Sequence, residues 1–87
     1  MASEAVAKEG REDAGGSRSL RRALDILELM LARGDALSVA DIVAELGIPK
    51  STAYELVDGL GDGGYLERSG KGGGLFLGRK LFELGMA

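Results

Sequence analysis

At 87 residues the chain has room for one small domain, and a domain of this size buries only about 60 % of its unfolded surface, too little for a second core. It contains no His and no Cys, which excludes imidazole bases, thiolate nucleophiles, disulfides and the usual zinc ligands. With no activated nucleophile, base or metal site on offer, the sequence predicts a non-enzymatic module that needs no cofactor.

The formal charge of −3 argues against a nucleic-acid partner only until it is located along the chain. Residues 1–17 are expected to be a flexible acidic tail: MASEAVAKEGREDAGG is polar and has no apolar run that suits a signal peptide or a membrane span. In its first sixteen residues Lys8 and Arg11 stand against Glu4, Glu9, Glu12 and Asp13, a net of −2, which leaves −1 for the remainder. The cations of that remainder cluster at Arg18, Arg21 and Arg22, at Lys50, at Arg68 and Lys71, and at Arg79 and Lys80. A reducing, cytoplasmic setting fits the absence of Cys, and no membrane partner is expected.

From Ser19 the residues Leu20, Ala23, Leu24, Leu27, Met30 and Leu31 recur at helical spacing, with Ser17 or Ser19 as the cap and Gly34 as the stop. Ile26 and Leu29 lie off that stripe, so the first helix carries more apolar surface than one small core needs, and a partner chain could cover the excess. A second helix starts at a capping-box pattern, Ser38 with Asp41 three residues on, continues through Val39, Ile42, Val43 and Leu46, and ends at Gly47. Only Ile48 and Pro49 separate it from a third helix, a spacing that predicts a helix-turn-helix.

On the third helix Ala53, Leu56, Val57 and Leu60 form one buried stripe. At about 100° per residue, Ser51, Glu55 and Asp58 fall opposite it, with Thr52 and Tyr54 on the flanks. The start of this helix presents unpaired N–H groups and partial positive charge to solvent, and Lys50, Ser51 and Thr52 add donors at the same place, a combination that suits a phosphate. Its glycines, Gly59, Gly61 and Gly63, each cost about 0.5–1 kcal/mol in a helix interior, so its end is expected to fray.

Two short extended runs, Tyr65 to Arg68 and Leu75 to Leu77, flank the loop SGKGGG and read as a β-hairpin with Lys71 at its tip. After Gly78, Leu81, Phe82 and Leu84 suggest a short final helix. Gly59, Gly61 and Gly64 match the spacing of a dinucleotide fingerprint, but the segment follows a helix and precedes a strand, the reverse of the order that chemistry needs. SGKGGG likewise lacks the first Gly and the hydroxyl residue of a P-loop.

The element order therefore predicts a mainly α fold with a small β-hairpin, a winged helix-turn-helix over residues 18–78, with 79–87 beginning a further helix. Four stretches also resemble the IclR-type transcriptional regulators: Ser19 to Leu27, Leu46 to Tyr54, Gly64 to Arg68, and Leu77-Gly78. The resemblance implies double-stranded DNA as partner, a palindromic operator, a homodimer, and residues 79–87 as the start of a linker helix. It also implies that a small-molecule effector would bind only through a larger domain outside these 87 residues. The helix from Lys50 to Leu60 would enter the major groove, and the wing at Ser69 to Gly74 would contact flanking backbone. The residues so implicated are Arg21, Arg22, Ser38, Lys50, Ser51, Thr52, Tyr54, Glu55, Arg68 and Lys71.

Several of these positions have a second reading. Tyr54 either packs its ring on the surface or offers its hydroxyl to the nucleic acid; Lys71 is either an ordinary exposed lysine or a phosphate clamp; Arg21 and Arg22 either touch backbone or are simply solvated. Position 55 is often Arg in the family, whereas Glu55 and Asp58 bring carboxylates to the face that should meet DNA. Glu55 either weakens binding or accepts a hydrogen bond from a cytosine amino group. The acidic balance, these carboxylates and the spare apolar surface support an alternative, a protein-binding winged helix without DNA affinity.

Overall fold

The computed structural model describes residues 15–70 and 73–86. In chain order these form α1 (Gly15–Arg33), α2 (Val39–Leu46), α3 (Lys50–Asp62), β1 (Leu66–Arg68), β2 (Leu75–Leu77) and α4 (Arg79–Met86). The mainly α fold with a small antiparallel hairpin is the one expected. Residues 1–14 and Lys71 lie outside the described residues, while Gly15, Gly16 and Ser17 belong to α1 and not to a tail. Ser17 and Ser19 are therefore inside the helix and cap nothing at its start.

Ten apolar residues make the core: Ile26 and Met30 from α1, Leu37, Val39 and Ile42 at and within α2, Ile48 in the turn, Ala53 and Val57 from α3, and Leu66 and Leu75 from the hairpin. No polar or charged residue among those described is buried. Each large side chain removed from water contributes about 1.5–3 kcal/mol, so five packed elements share one driving force.

The face of α1 that turns inward overlaps the expected stripe only in part: Met30 is buried and Leu27 packs against the core, but Ile26, off that stripe, is fully buried while the leucines on its far side are not. Ile26 and Met30, one turn apart, are 0 % and 3 % exposed, whereas Leu20, Leu24 and Leu31 stand 61 %, 48 % and 72 % in solvent. The helix is apolar over a wide arc; periodicity counts all of it but does not say which part meets α2 and α3.

Between α2 and α3 the chain turns at Gly47, whose φ of 65° lies in the left-handed region and whose N–H donates to Val43 O at 2.9 Å. Pro49 then enters α3 with φ −62°, and Ala53 N–H reaches Pro49 O at 3.0 Å. α3 continues two residues past Leu60, and Gly63 N–H closes on Gly59 O at 3.2 Å. Burial of Val57 and the packing of Leu56 and Leu60 hold the turn that its glycines weaken.

Tyr65 N–H bonds back to Leu60 O at 2.9 Å, so that residue finishes the helix exit and the strand begins one position later than expected. In the hairpin Leu66 pairs with Leu77, Glu67 with Phe76 and Arg68 with Leu75. Leu75 also exchanges two hydrogen bonds with Leu37, 3.2 and 2.8 Å, which ties the hairpin to the segment before α2. None of the described helices is long and apolar enough to cross a membrane.

Candidate nucleic-acid interface

The entrance of α3 is open. Its cap residue Pro49 has no side-chain acceptor to offer, so no side chain satisfies the first N–H groups of the helix, and Lys50 and Ser51 are exposed beside them, with Thr52 half-buried. Contrast α2, where Ser38 Oγ accepts from Asp41 N–H at 3.0 Å and Asp41 Oδ2 accepts from Ser38 N–H at 3.0 Å. These bonds, the backbone one foremost, hold the Asp41 carboxyl below the usual aspartate range, with the Arg33 charge a lesser help. Of two adjacent helices, one satisfies its N-terminus internally and the other leaves it to an outside acceptor.

The outward ridge of α3 is made of Ser51, Glu55, Asp58 and Asp62, all exposed. Asp62 joins the ridge because the helix extends that far, at a position seven residues after Glu55. Glu55 has no ion pair among the described residues, whereas Asp58 Oδ1 lies 3.9 Å from Arg68 Nη2 at the end of β1. A groove of about 550 Å³ runs between helix and wing, lined on one side by Val57, Asp58 and Asp62 and on the other by Leu66, Glu67 and Arg68.

Tyr54 is 45 % exposed and, with Lys50, borders an apolar groove floored by Val39 and Val43 of α2. Its ring thus rests partly on the domain while part of it stays accessible. Ser38 is engaged as a cap through its oxygen, which leaves its hydroxyl proton available to an acceptor. Lys50, Ser51, Thr52, Tyr54 and Glu55 share the first turns of α3, and Arg68 joins them through Asp58. Arg21 and Arg22 lie on α1, exposed and half-buried, with no bond to α3 among the described residues. The Asp58–Arg68 pair was not anticipated from sequence; opposite charges on a helix and on the strand after it are its only trace there.

The IclR helix-turn-helix domain model matches residues 19–70, more than half of the chain. The chain belongs to that family. Among curated proteins, the HTH-type transcriptional regulator XynR of Escherichia coli K12 is 37 % identical over 68 residues, a match that covers 78 % of this chain and 27 % of XynR. Among solved structures, an IclR family transcriptional regulator from Brucella abortus superposes with a TM-score of 0.74 at 26 % identity, covering 87 % of this chain and 30 % of that one. The repressor BlcR of Agrobacterium tumefaciens gives 0.71 at 30 % identity, covering 79 % and 27 %. The chain thus spans less than a third of the length of these IclR-family relatives, over the segment that holds the winged helix-turn-helix.

Proposed function

We propose that this chain binds double-stranded DNA sequence-specifically as the recognition module of a transcriptional regulator. The carrying observation is the uncapped, solvent-exposed entrance of α3, with Lys50, Ser51 and Thr52 around it. In this reading α3 is the recognition helix: its N-terminal N–H groups and Lys50 take backbone phosphate, Tyr54 and Glu55 reach base edges in the major groove, and Arg68 and the wing tip with Lys71 lie over flanking backbone. Arg21, Arg22 and the Ser38 hydroxyl would add backbone contacts outside the groove. Such a regulator acts in the cytoplasm, where its operator is.

The exposed stripe of Leu20, Leu24 and Leu31, within about 40° of arc on α1, supports a homodimer. A twofold dimer matches a palindromic operator whose half-sites lie about one helical turn, or a multiple of it, apart. Any small-molecule effector would act through chain beyond these residues.

The test is a salt titration of binding to a duplex that the chain itself selects from a randomised pool about two helical turns long. The logarithm of affinity should fall linearly with the logarithm of salt concentration, steeply enough for several phosphate contacts. Affinity that is flat with salt, or selection of no duplex at micromolar protein, refutes the reading and favours a protein partner.

A further inference from the structure

Arg68, the last residue of β1, reaches back to α3, and its contact with Asp58 at 3.9 Å is the one ion pair that joins that helix to the wing among the described residues. Its position gives it leverage. The root of the wing is fixed by the core through Leu66 and Leu75, 3 % and 1 % exposed, and by the Tyr65 N–H bond to Leu60 O. Past Arg68 the ladder ends with Ser69 N–H on Gly74 O at 2.8 Å, and the chain enters a tip rich in glycine, which restrains the backbone least. Arg68 thus stands at the end of the paired part of the wing, one residue before its last ladder hydrogen bond.

The two side chains are 49 % and 71 % exposed, so solvent screens the pair and it contributes little to stability. Orientation is another matter. A guanidinium carries five donors in a fixed fork, and a single carboxylate at Nη2 leaves the others for a second anion.

We propose that Asp58 is a positioning residue for the wing and not simply a repulsive charge on the recognition helix. It holds Arg68 so that the guanidinium bridges α3 and a backbone phosphate, and through Arg68 it restrains the exit of the chain from β1 at Ser69 and Gly70. This rests on the DNA-binding reading above. The two roles predict opposite signs. A carboxylate that only repels phosphate weakens binding whatever its neighbour is, so its removal strengthens it. A carboxylate that orients an arginine strengthens binding while the arginine is present, and its repulsion emerges only when the arginine is gone.

The experiment compares the 87-residue chain with Asp58→Asn, Arg68→Gln and the double variant on a duplex selected by the native chain from the randomised pool. Asp58→Asn should weaken binding of the native chain by about two- to fivefold and strengthen that of Arg68→Gln by a similar factor. In parallel, backbone relaxation of the Ser69 and Gly70 amides, measured without DNA, should show greater fast motion in Asp58→Asn than in the native chain. Equal strengthening in both backgrounds, no change in either, or tip amides that relax alike in the two proteins overturns the proposal. A native chain that selects no duplex refutes the DNA reading alone, and the amide relaxation then decides the role of Asp58 by itself.

Discussion

The Glu67 carboxylate accepts a hydrogen bond from the backbone N–H of Arg79 at 3.1 Å, so a strand of the wing caps the helix that follows it. Beside this bond Gly78 N–H reaches Tyr65 O at 2.8 Å and Lys80 N–H reaches Gly64 O at 3.2 Å. The wing root and the start of α4 are therefore one hydrogen-bonded unit. An eight-residue helix with no fully buried residue does not stand alone in water, and an anion at its N-terminus satisfies donors and opposes the helix dipole. Glu67→Ala should cost about 1 kcal/mol and release the α4 amides to exchange, while Glu67→Gln, which keeps an oxygen acceptor, should lose only a few tenths. Urea unfolding and amide exchange read both.

The glycines of this chain divide into those that geometry requires and those it tolerates. A Cβ at Gly78 would collide with the Gly64 carbonyl oxygen and stand 2.9 Å from the Gly64 and Tyr65 carbonyl carbons, all backbone that has nowhere to go. At Gly59 and Gly61, on α3, nothing lies within 4 Å. Gly78→Ala should unfasten α4 from the wing and lower Tm. Gly59→Ala and Gly61→Ala should each stabilise by about 0.5–1 kcal/mol, since alanine restricts the unfolded chain and favours the helix. Thermal unfolding of the three variants gives the signs directly; a gain from Gly78→Ala would contradict the close approach seen here.

The capping box of α2 makes stability depend on acid. Asp41 is held below its usual range by the Ser38 bonds in the folded state, so the unfolded chain takes up a proton first as pH falls. The stabilisation is complete above the ordinary aspartate value of about 3.9 and is lost as pH drops through the lower folded value. Native protein should therefore exceed Asp41→Asn in stability near neutrality, and the difference should close below about pH 4. Ser38→Ala, which removes the cap itself, should cost about 1 kcal/mol at neutral pH. Denaturant midpoints at a series of pH values test both statements.

Local rules made much of this fold legible. Ser38 with Asp41, Gly47 and Pro49 are short-range chemistry, and each forms the cap, stop or entry that its type favours. The buried stripe of α3 was legible for the same reason, because Ala53 and Val57 have polar neighbours on every other side. What sequence does not carry is the choice among equals: α1 is apolar over a wide arc, and only the packing of α2 and α3 centres the buried part on Ile26 and Met30 and leaves Leu20 and Leu24 in solvent. Nor does it show pairs made across elements. The Asp58–Arg68 and Glu67–Arg79 contacts, and the Leu37–Leu75 bridge, depend on how the hairpin turns back, which no periodicity records.

Lys50 and Glu55 stand five residues apart on one exposed helix start, and the reading proposed here gives them different work. A lysine at the helix entrance meets phosphate, which every sequence has. Its replacement by alanine should weaken binding to all duplexes alike and reduce the salt slope by about one. Glu55 is an acceptor without a donor to it among the described residues, and in the major groove the cytosine amino group is the donor it fits. Glu55→Ala should remove about 1–3 kcal/mol of discrimination at one base-pair position while leaving the others as they were. Because the carboxylate also repels phosphate, affinity for duplexes lacking that cytosine should rise in the same variant. Selection from the randomised pool, repeated with each variant, separates the two roles: a uniform loss for Lys50→Ala and a relaxed preference at one position for Glu55→Ala. Uniform loss in both would leave Glu55 no part in reading bases.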